Sequence, residues 1–367
     1  MVLFLVGSQF QQSCSVQRIG DAPGLRPRFT RDILSAAATA MIDARHAEST
    51  KKTRSTQMKT YFRFADEVGI QHFPPTCDET VLYASWLMLT TCSRADSLRQ
   101  YLAALRVYAA QLGHWVPSPT EFPDLLGVVK GAARLFPGPS RRSLPVTPAI
   151  LRNLLCSVPP AGATATQLVT LQVLKDTALL LFLTMLRGSN LFPSHPAAAD
   201  PVRNLTWEKV RRVEGGVIIT ITMSKTNQNR ERVHEIPLAA APGSLFCPVQ
   251  ALERLRVMRG TTPAPTDHVL MIPSTDGSWS PLCKTHFLKW FRGRLDQMGL
   301  DSTRYHVHGY RHGAIQLAIL SGNDITLIKL HSDHLSDAIM VYANVEPEKR
   351  NIIASSMVTA LDRHAAM

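Results

Sequence analysis

The chain has 367 residues, of which 45% are hydrophobic and 19% are charged. This is enough apolar material for real cores and too much chain for one ordinary domain. Lysine and arginine total 40 against 28 aspartates and glutamates, a formal net charge of +12, which favours a polyanionic partner such as nucleic acid. The six cysteines lack any C-x-x-C spacing, which argues against a zinc knuckle or a disulfide framework and fits a reducing compartment.

Residues 1–30 mix glycine, proline, serine and arginine without periodicity and predict a loose N-terminal arm. The apolar run at 2–6 is too short for a signal peptide. The best candidate for a membrane span, 177–186, has only ten residues and ends at an arginine. We therefore expect an intracellular protein without a membrane partner.

Residues 31–136 predict a bundle of four or five helices, because Tyr61, Phe64 and Val68 recur at helical spacing and Leu98 and Leu102 begin another stripe. Cations on the same segments could form a face for DNA phosphates, although each alone is equally compatible with a solvated surface charge. The candidate DNA-binding residues are Lys51, Lys52, Arg54, Lys59, Arg99 and Arg106.

Prolines and a glycine at 137–146 break any helix and predict a linker. Thr147 and Pro148 look like an N-cap and a first-turn proline, so a second domain is expected at 147–367. Its pattern is mostly helical, with an apolar helix at 171–186, strands at 216–223 and 232–238, and helices at 248–258 and from 281 onward. The predicted fold is mainly α with a small β-sheet.

Cations and imidazoles of the second domain lie near structural breaks. Arg187 follows the apolar helix, and Lys225 lies at the tip of the predicted hairpin, from which it could reach into a groove. His308 and Arg311 are three residues apart at the start of a helix, where positive side chains oppose the helix dipole unless an anion binds.

Two further histidines, His331 and His334, separate two helical patterns ahead of Tyr342, with Ser336 as a plausible N-cap. A tyrosine between apolar residues is normally a core residue. The H-x-H pair formed by His306 and His308 could instead chelate a metal, but no cysteine or carboxylate stands at ligand spacing beside it.

Two arginines, a lysine, two imidazoles and a tyrosine together make the set that breaks a phosphodiester without a metal. Arginines neutralise the non-bridging oxygens, a lysine protonates the leaving oxygen, a histidine handles the nucleophile's proton and tyrosine attacks.

The order Arg, Lys, His-x-x-Arg, His, Tyr resembles the catalytic domain of tyrosine recombinases (integrases), and the segment 97–106 (SLRQYLAALR) is similar to their core-binding domain. The resemblance covers residues 35–350. The motifs LRGSNL (186–191), SKTNQ (224–228) and HGYRH (308–312) look most like variants of eukaryotic mobile elements, of the DIRS-like and Crypton kinds, with bacterial and phage integrases as the neighbouring possibility.

The resemblance implies a site-specific recombinase that needs no cofactor and no small-molecule substrate, cuts double-stranded DNA through a 3'-phosphotyrosyl link, and assembles as a tetramer in synapsis. It would be nuclear in a eukaryote and cytoplasmic in a bacterium or phage. The implied roles are nucleophile for Tyr342, phosphate clamp for Arg187 and Arg311, general acid for Lys225, general base for His308 and hydrogen-bond donor for His334.

Two positions depart from the family pattern. Asn190 stands where many members have a glutamate that supports the first arginine, and His331 competes with His334 for one role. His334 is preferred because it lies eight residues before the tyrosine, whereas His331 falls at the end of a short helix at 324–330 and is expected to be structural.

Two other functions stay open at this point. A domesticated DNA-binding protein could keep the fold without strand transfer, and a type IB topoisomerase shares the catalytic residue types. The apolar spacing of Ile352, Ile353, Met357, Val358 and Leu361 predicts a helix that docks either on a neighbouring protomer or on its own domain.

Overall fold

The structure is a computed structural model of the chain. It describes residues 30–45, 47–92, 94–136, 143–225, 227–228, 230–274, 276–333 and 347–366. The chain divides into two compact units, residues 1–139 and 140–367, and this boundary falls inside the segment predicted to be a linker.

The first unit is helical throughout its described elements. These are α1 (Arg31–Ala44), α2 (Glu48–Val68), α3 (Cys77–Thr90), α4 (Ala95–Gln111) and α5 (Pro123–Leu135). The apolar faces of α2 to α5 form one core around Tyr61, Phe64, Tyr83 and Leu98, all nearly or fully buried. The helical bundle predicted from the periodicity of these residues is confirmed.

The second unit is mostly helical with two small sheets. Its elements are α6 (Pro148–Leu155), α7 (Ala165–Leu183), α8 (Gly188–Leu191), β1 (Val210–Val213), β2 (Gly216–Ile221), β3 (His234–Ala239), α9 (Pro248–Val257), β4 (Met271–Pro273), β5 (Trp279–Pro281), α10 (Lys284–Gln297), α11 (His308–Leu320), α12 (Ile325–His331) and α13 (Pro347–Ala366). The predicted fold class is therefore confirmed.

The larger sheet has the order β1-β2-β3, with both pairs antiparallel. Strands β2 and β3 are the two predicted from sequence, and Ile219 pairs with Ile236 across them. Strand β1 was not predicted because its four residues include two exposed arginines, Arg211 and Arg212, and therefore carry little apolar signal. The connection between β2 and β3 projects Lys225 beyond the sheet.

Helix α7 is the central element of the second unit. Its 19 residues are long and apolar enough to cross a membrane by length and composition alone, which corrects the expectation based on the shorter run at 177–186. Most of the helix is buried inside the unit, and α6, α9 and α11 pack against it. It accordingly forms the centre of a packed core in this structure.

The end of the predicted linker is part of the second unit. The amide of Val146 donates to Gly309 O (2.9 Å), and the amide of Leu144 donates to Arg304 O (2.9 Å). A Cβ atom at Gly313 would lie 1.8 Å from Val146 O, so this close approach requires glycine. Residues 143–146 thus lie against the start of α11, which carries His308 and Arg311.

Helix α13 packs on its own unit. Ile353, Met357, Val358 and Leu361 are buried against β3, α6, α11 and α12, while Ile352 is 60% exposed. The sequence left open whether this apolar face docks on a neighbouring protomer or on its own domain. In the structure the face packs on its own domain. The face is therefore not available to a neighbouring protomer in this conformation.

Candidate active site

Arg187 lies at the N-terminal boundary of the short helix α8, four residues beyond the end of α7. Between them, Met185 adopts a left-handed backbone conformation (φ 51°) although its side chain is fully buried. Such a conformation costs roughly 1–3 kcal/mol for a residue other than glycine and is commonly found at functional sites. The turn carries both the Met185 carbonyl, which is a hydrogen-bond acceptor, and the Arg187 side chain two residues later.

Arg311 is held by that turn. Its guanidinium Nη1 donates to Met185 O (2.9 Å), and the residue is only 1% exposed. Burial, followed by the positive charge of Arg187, lowers the pKa of Arg311 to about 10, and Asp333 partly opposes this shift. Arg311 therefore stays charged at neutral pH, and the two predicted clamp arginines lie close enough to repel each other.

Lys225 lies in the turn between β2 and β3, as predicted, and its side chain is exposed. The turn is closed by paired backbone bonds between Ser224 and Asn227, and Asn227 Nδ2 donates to Thr222 O (2.8 Å). Asn190 of α8 donates from Nδ2 to Met223 O (2.8 Å). The element that carries Arg187 is thus joined directly to the turn that carries Lys225.

The hydrogen bond of Asn190 explains what an asparagine does at the position where many family members have a glutamate. Its side chain is almost completely buried and anchors the lysine turn through the Met223 carbonyl. A neutral amide cannot balance the charge of Arg187. The carboxylate that does so comes from another part of the chain.

That carboxylate is Asp333, for which the sequence suggested no role. Its Oδ2 lies 3.5 Å from Arg187 Nη1 and accepts a hydrogen bond from Ser224 Oγ (2.8 Å). Its Oδ1 accepts from Arg232. Asp333 stands between His331 and His334, in the break between two helical patterns. The sequence there has no periodicity from which the contacts of Asp333 could be predicted.

His308 begins α11 and lies near every other described cation of the site. The pKa of His308 is lowered from its ordinary value of 6.5, and the largest cause is burial. The smaller causes are, in decreasing order, the neighbouring side chains of His312, Arg311, Arg187 and Lys225. The rings of His308 and His312 are 4.5 Å apart in an edge-on arrangement. The lowered pKa favours the neutral imidazole, which can accept a proton.

His331 is the last residue of α12 and is fully buried. Its Nε2 lies 3.0 Å from Leu183 O, which can only accept, so the imidazole donates to the last carbonyl of α7. The carbonyl of His331 in turn accepts from His234 Nε2 (3.2 Å). These contacts join the end of α12 to α7 and β3. The predicted catalytic residues His334 and Tyr342, and the cap Ser336, lie outside the described residues.

The candidate DNA-binding residues of the first unit divide into two groups. Lys51, Arg54 and Lys59 line a groove of about 420 Å³ between α2 and α4, while Lys52 on α2 is exposed. Arg99 lies on α4, with its guanidinium 3.2 Å from Asp96, and Lys51 of the groove is likewise paired, with Glu48 (2.9 Å).

Arg106 is also paired. Its Nη2 lies 3.8 Å from Glu121, and its Nε donates to Val116 O (3.3 Å). The structure thus brings three of the six predicted residues onto one groove, and the two arginines of α4 have carboxylate partners of their own.

Metal coordination was the alternative use of the histidines. Within the described residues, no group of three or more histidine, cysteine, aspartate or glutamate side chains is arranged to hold a metal ion. His306 instead contacts Arg292, with Nδ1 3.2 Å from Nη2.

No family model and no curated protein matches this chain. Solved structures do match it. A structure of the Tn1549 transposon integrase with transposon right end DNA is 15% identical, with 90% of this chain and 98% of that chain covered and a TM-score of 0.56. Another structure of that integrase, with a circular intermediate DNA, is 14% identical, covers 84% and 93%, and has a TM-score of 0.53. The chain therefore has the fold of the tyrosine recombinases.

Proposed function

We propose that this protein is a site-specific DNA recombinase that breaks and rejoins DNA through a phosphotyrosyl link to Tyr342. One observation carries the proposal. Arg187, Lys225, His308 and Arg311 are spread over 125 positions of sequence, yet direct contacts bring them together. Asn190 and Asp333 join the Arg187 region to the Lys225 turn. Arg311 donates to the turn before Arg187 and lies on the same helix as His308. They converge in a chain that has the tyrosine recombinase fold.

The arginines suit the transition state of phosphoryl transfer. Arg311 is fixed by the Met185 carbonyl and Arg187 by Asp333, so neither guanidinium has to be ordered when the phosphate arrives. Cations that are positioned in advance lower the energy of charge that develops on the non-bridging oxygens. Their mutual repulsion is relieved when a phosphate binds between them, which favours the anionic partner.

Proton transfer is divided between His308 and Lys225. Burial and the neighbouring side chains lower the pKa of His308, which favours the neutral imidazole that can take the proton of an attacking hydroxyl. Lys225 is exposed on a turn that is anchored on both sides by Asn227 and Asn190, and it can protonate the leaving 5' oxygen. In this scheme His308 accepts the proton of the nucleophile, and Lys225 donates a proton to the leaving oxygen.

The other tyrosines of the second unit support the assignment of the nucleophile. The sequence has three there, Tyr305, Tyr310 and Tyr342. Tyr305 and Tyr310 are buried in the core, where both pack against Phe291. Burial raises the pKa of Tyr310 well above the ordinary value, which disfavours its phenolate. This supports Tyr342, the nucleophile that the resemblance implies, as the tyrosine that attacks DNA.

Several finer points belong to the same proposal. The first unit would act as the core-binding domain and grip double-stranded DNA, and four protomers would assemble in synapsis. We further propose that the protein is encoded by a mobile element of the DIRS-like or Crypton kind, and that it works inside the cell, in the nucleus of a eukaryote. The net charge of +12 supports a nucleic-acid partner.

The first experiment uses nicked suicide substrates built from the DNA that flanks the gene. Wild-type protein is expected to become trapped on this DNA, and Tyr342→Phe is expected to form no adduct while its Kd for DNA stays within about twofold, because the hydroxyl is the attacking atom. Tyr305→Phe is the matched control and should form the adduct normally. An adduct in Tyr342→Phe would overturn the assignment of the nucleophile.

A further inference from the structure

The acidic partner of the catalytic cations comes from an unexpected segment. The family resemblance predicts an acidic support at position 190, which is an asparagine in this chain. Asp333 lies 143 positions later, beyond the end of α12. Its side chain is 3% exposed and lies between two arginines, Arg187 and Arg232. An ionised carboxylate this deeply buried is stable only if it is paired and hydrogen-bonded.

The contacts of Asp333 reach three separate parts of the site. Oδ2 binds Arg187 of the predicted phosphate clamp and accepts from Ser224, the residue before Lys225. Oδ1 accepts from Arg232, which lies on the other arm of the same turn. One carboxylate therefore sets the position of the clamp arginine relative to the lysine turn.

The backbone of Asp333 is specialised for this position. Its φ is 55°, a left-handed conformation that aspartate and asparagine adopt more easily than most residues. Asn227 closes the lysine turn from within, and Asn190 and Asp333 bind it from other segments of the chain. Asn190 supplies the hydrogen bond to the turn, and Asp333 supplies the negative charge that an asparagine lacks.

We propose that Asp333 is a positioning residue for the strand-cleavage reaction, which orients the Arg187 guanidinium directly and the Lys225 turn through Ser224 and Arg232. This role rests on the proposed function above. It assigns to Asp333 the support that a glutamate at position 190 would give. Asp333 acts through Arg187 and Lys225 and contacts no reacting atom itself.

The test compares two buried carboxylates of the same unit. Asp333→Asn keeps the size and the tolerance of a left-handed backbone while it removes the charge. Asp176→Asn is the matched control, because Asp176 is 1% exposed, pairs with Arg254 and belongs to the core helix α7. Both variants are expected to lose stability, so cleavage is measured in a single turnover at saturating DNA and corrected for the folded fraction.

Asp333→Asn is expected to cleave about 10- to 100-fold more slowly than wild type, which is the size of effect that a misplaced catalytic group has. Its Kd for DNA should stay within about threefold, and Asp176→Asn should cleave at the wild-type rate. Ser224→Ala should slow cleavage less, and the double variant with Asp333→Asn should be no slower than Asp333→Asn alone, because both changes break the same link.

A rescue experiment separates positioning from mere stability. Asp333→Gly leaves a left-handed backbone at no cost and opens a space the size of a carboxylate. Added formate should restore several-fold of the cleavage rate in Asp333→Gly but not in Asp333→Asn, where the amide fills the space.

The outcomes are distinguishable. If wild type forms the adduct while Asp333→Asn cleaves as fast as Asp176→Asn, Asp333 has no positioning role and the proposed function stands. Formate that fails to accelerate a slow Asp333→Gly would equally overturn the role of the charge. Absence of an adduct in the wild type would overturn the proposed function itself, and this role with it.

Discussion

The candidate functional cations of the two units are held in different ways. On α2 and α4, cations project from regular helices, and two of them have a carboxylate three residues away, Lys51 with Glu48 (2.9 Å) and Arg99 with Asp96 (3.2 Å). In the second unit, Arg187 and Arg311 are held by a buried carboxylate and a strained turn. The first arrangement is typical of solvated charge, and the second fixes charge at a defined point.

This contrast has a functional consequence. A charge on an exposed helix attracts DNA at a distance and is screened by salt, so it contributes mainly to affinity. A charge fixed near the reacting phosphate acts on the transition state, so it contributes mainly to rate. The same residue types should thus have separable effects in the two units.

The largest expected effect tests this contrast directly. Arg187→Ala should lower the single-turnover cleavage rate by about 100- to 1000-fold at saturating DNA, because it removes charge that stabilises the transition state. Lys59→Ala should leave that rate unchanged, weaken binding and lower the slope of log K against log salt by about 1. Equal cleavage rates for the two variants would show that the clamp is misplaced and that the two units do not differ in this way.

The next effect concerns the buried polar contacts that support the second unit. His331→Ala should destabilise the protein by roughly 2–4 kcal/mol, because it leaves a cavity and deprives the Leu183 carbonyl of its donor. Denaturant unfolding measures the loss, and cleavage by the folded fraction should stay near wild type.

His334→Ala is the companion variant and should show the reverse, with slow cleavage and little loss of stability. His334→Trp should keep part of the activity because an indole also donates one hydrogen bond. If His331→Ala is stable but cleaves slowly, His331 and not His334 is the catalytic histidine.

The smallest effect is a shift of the pH profile. Because His308 must be neutral to accept a proton and its pKa is lowered, the cleavage rate should decline on the acid side at a lower pH than an ordinary imidazole would give. His312→Gln removes the nearest imidazole, which should raise the pKa of His308 and move the acid limb to higher pH. An acid limb that does not move would indicate that another group accepts the proton.

Much of the second unit could be predicted because its signals are local. The cap and first-turn proline at Thr147 and Pro148 mark α6, and the β-branched run after Gly216 marks β2. The end of α7 was predicted three residues too late, because apolar residues continue through Met185 and Leu186. The left-handed turn there has no sequence signal, since methionine rarely adopts that conformation.

The sequence by itself determined the order and the chemistry of the site, because the residue types at Arg187, Lys225, His308 and Arg311 set what each group can do. The tertiary structure alone decided which groups support them. Asp333 reaches Ser224 across 109 positions of sequence, and His331 reaches Leu183 across 148. Helix α13 likewise has an apolar stripe that fits either its own domain or a neighbour. Such pairings depend on how distant elements pack, and neither propensity nor periodicity encodes which distant group a side chain will contact.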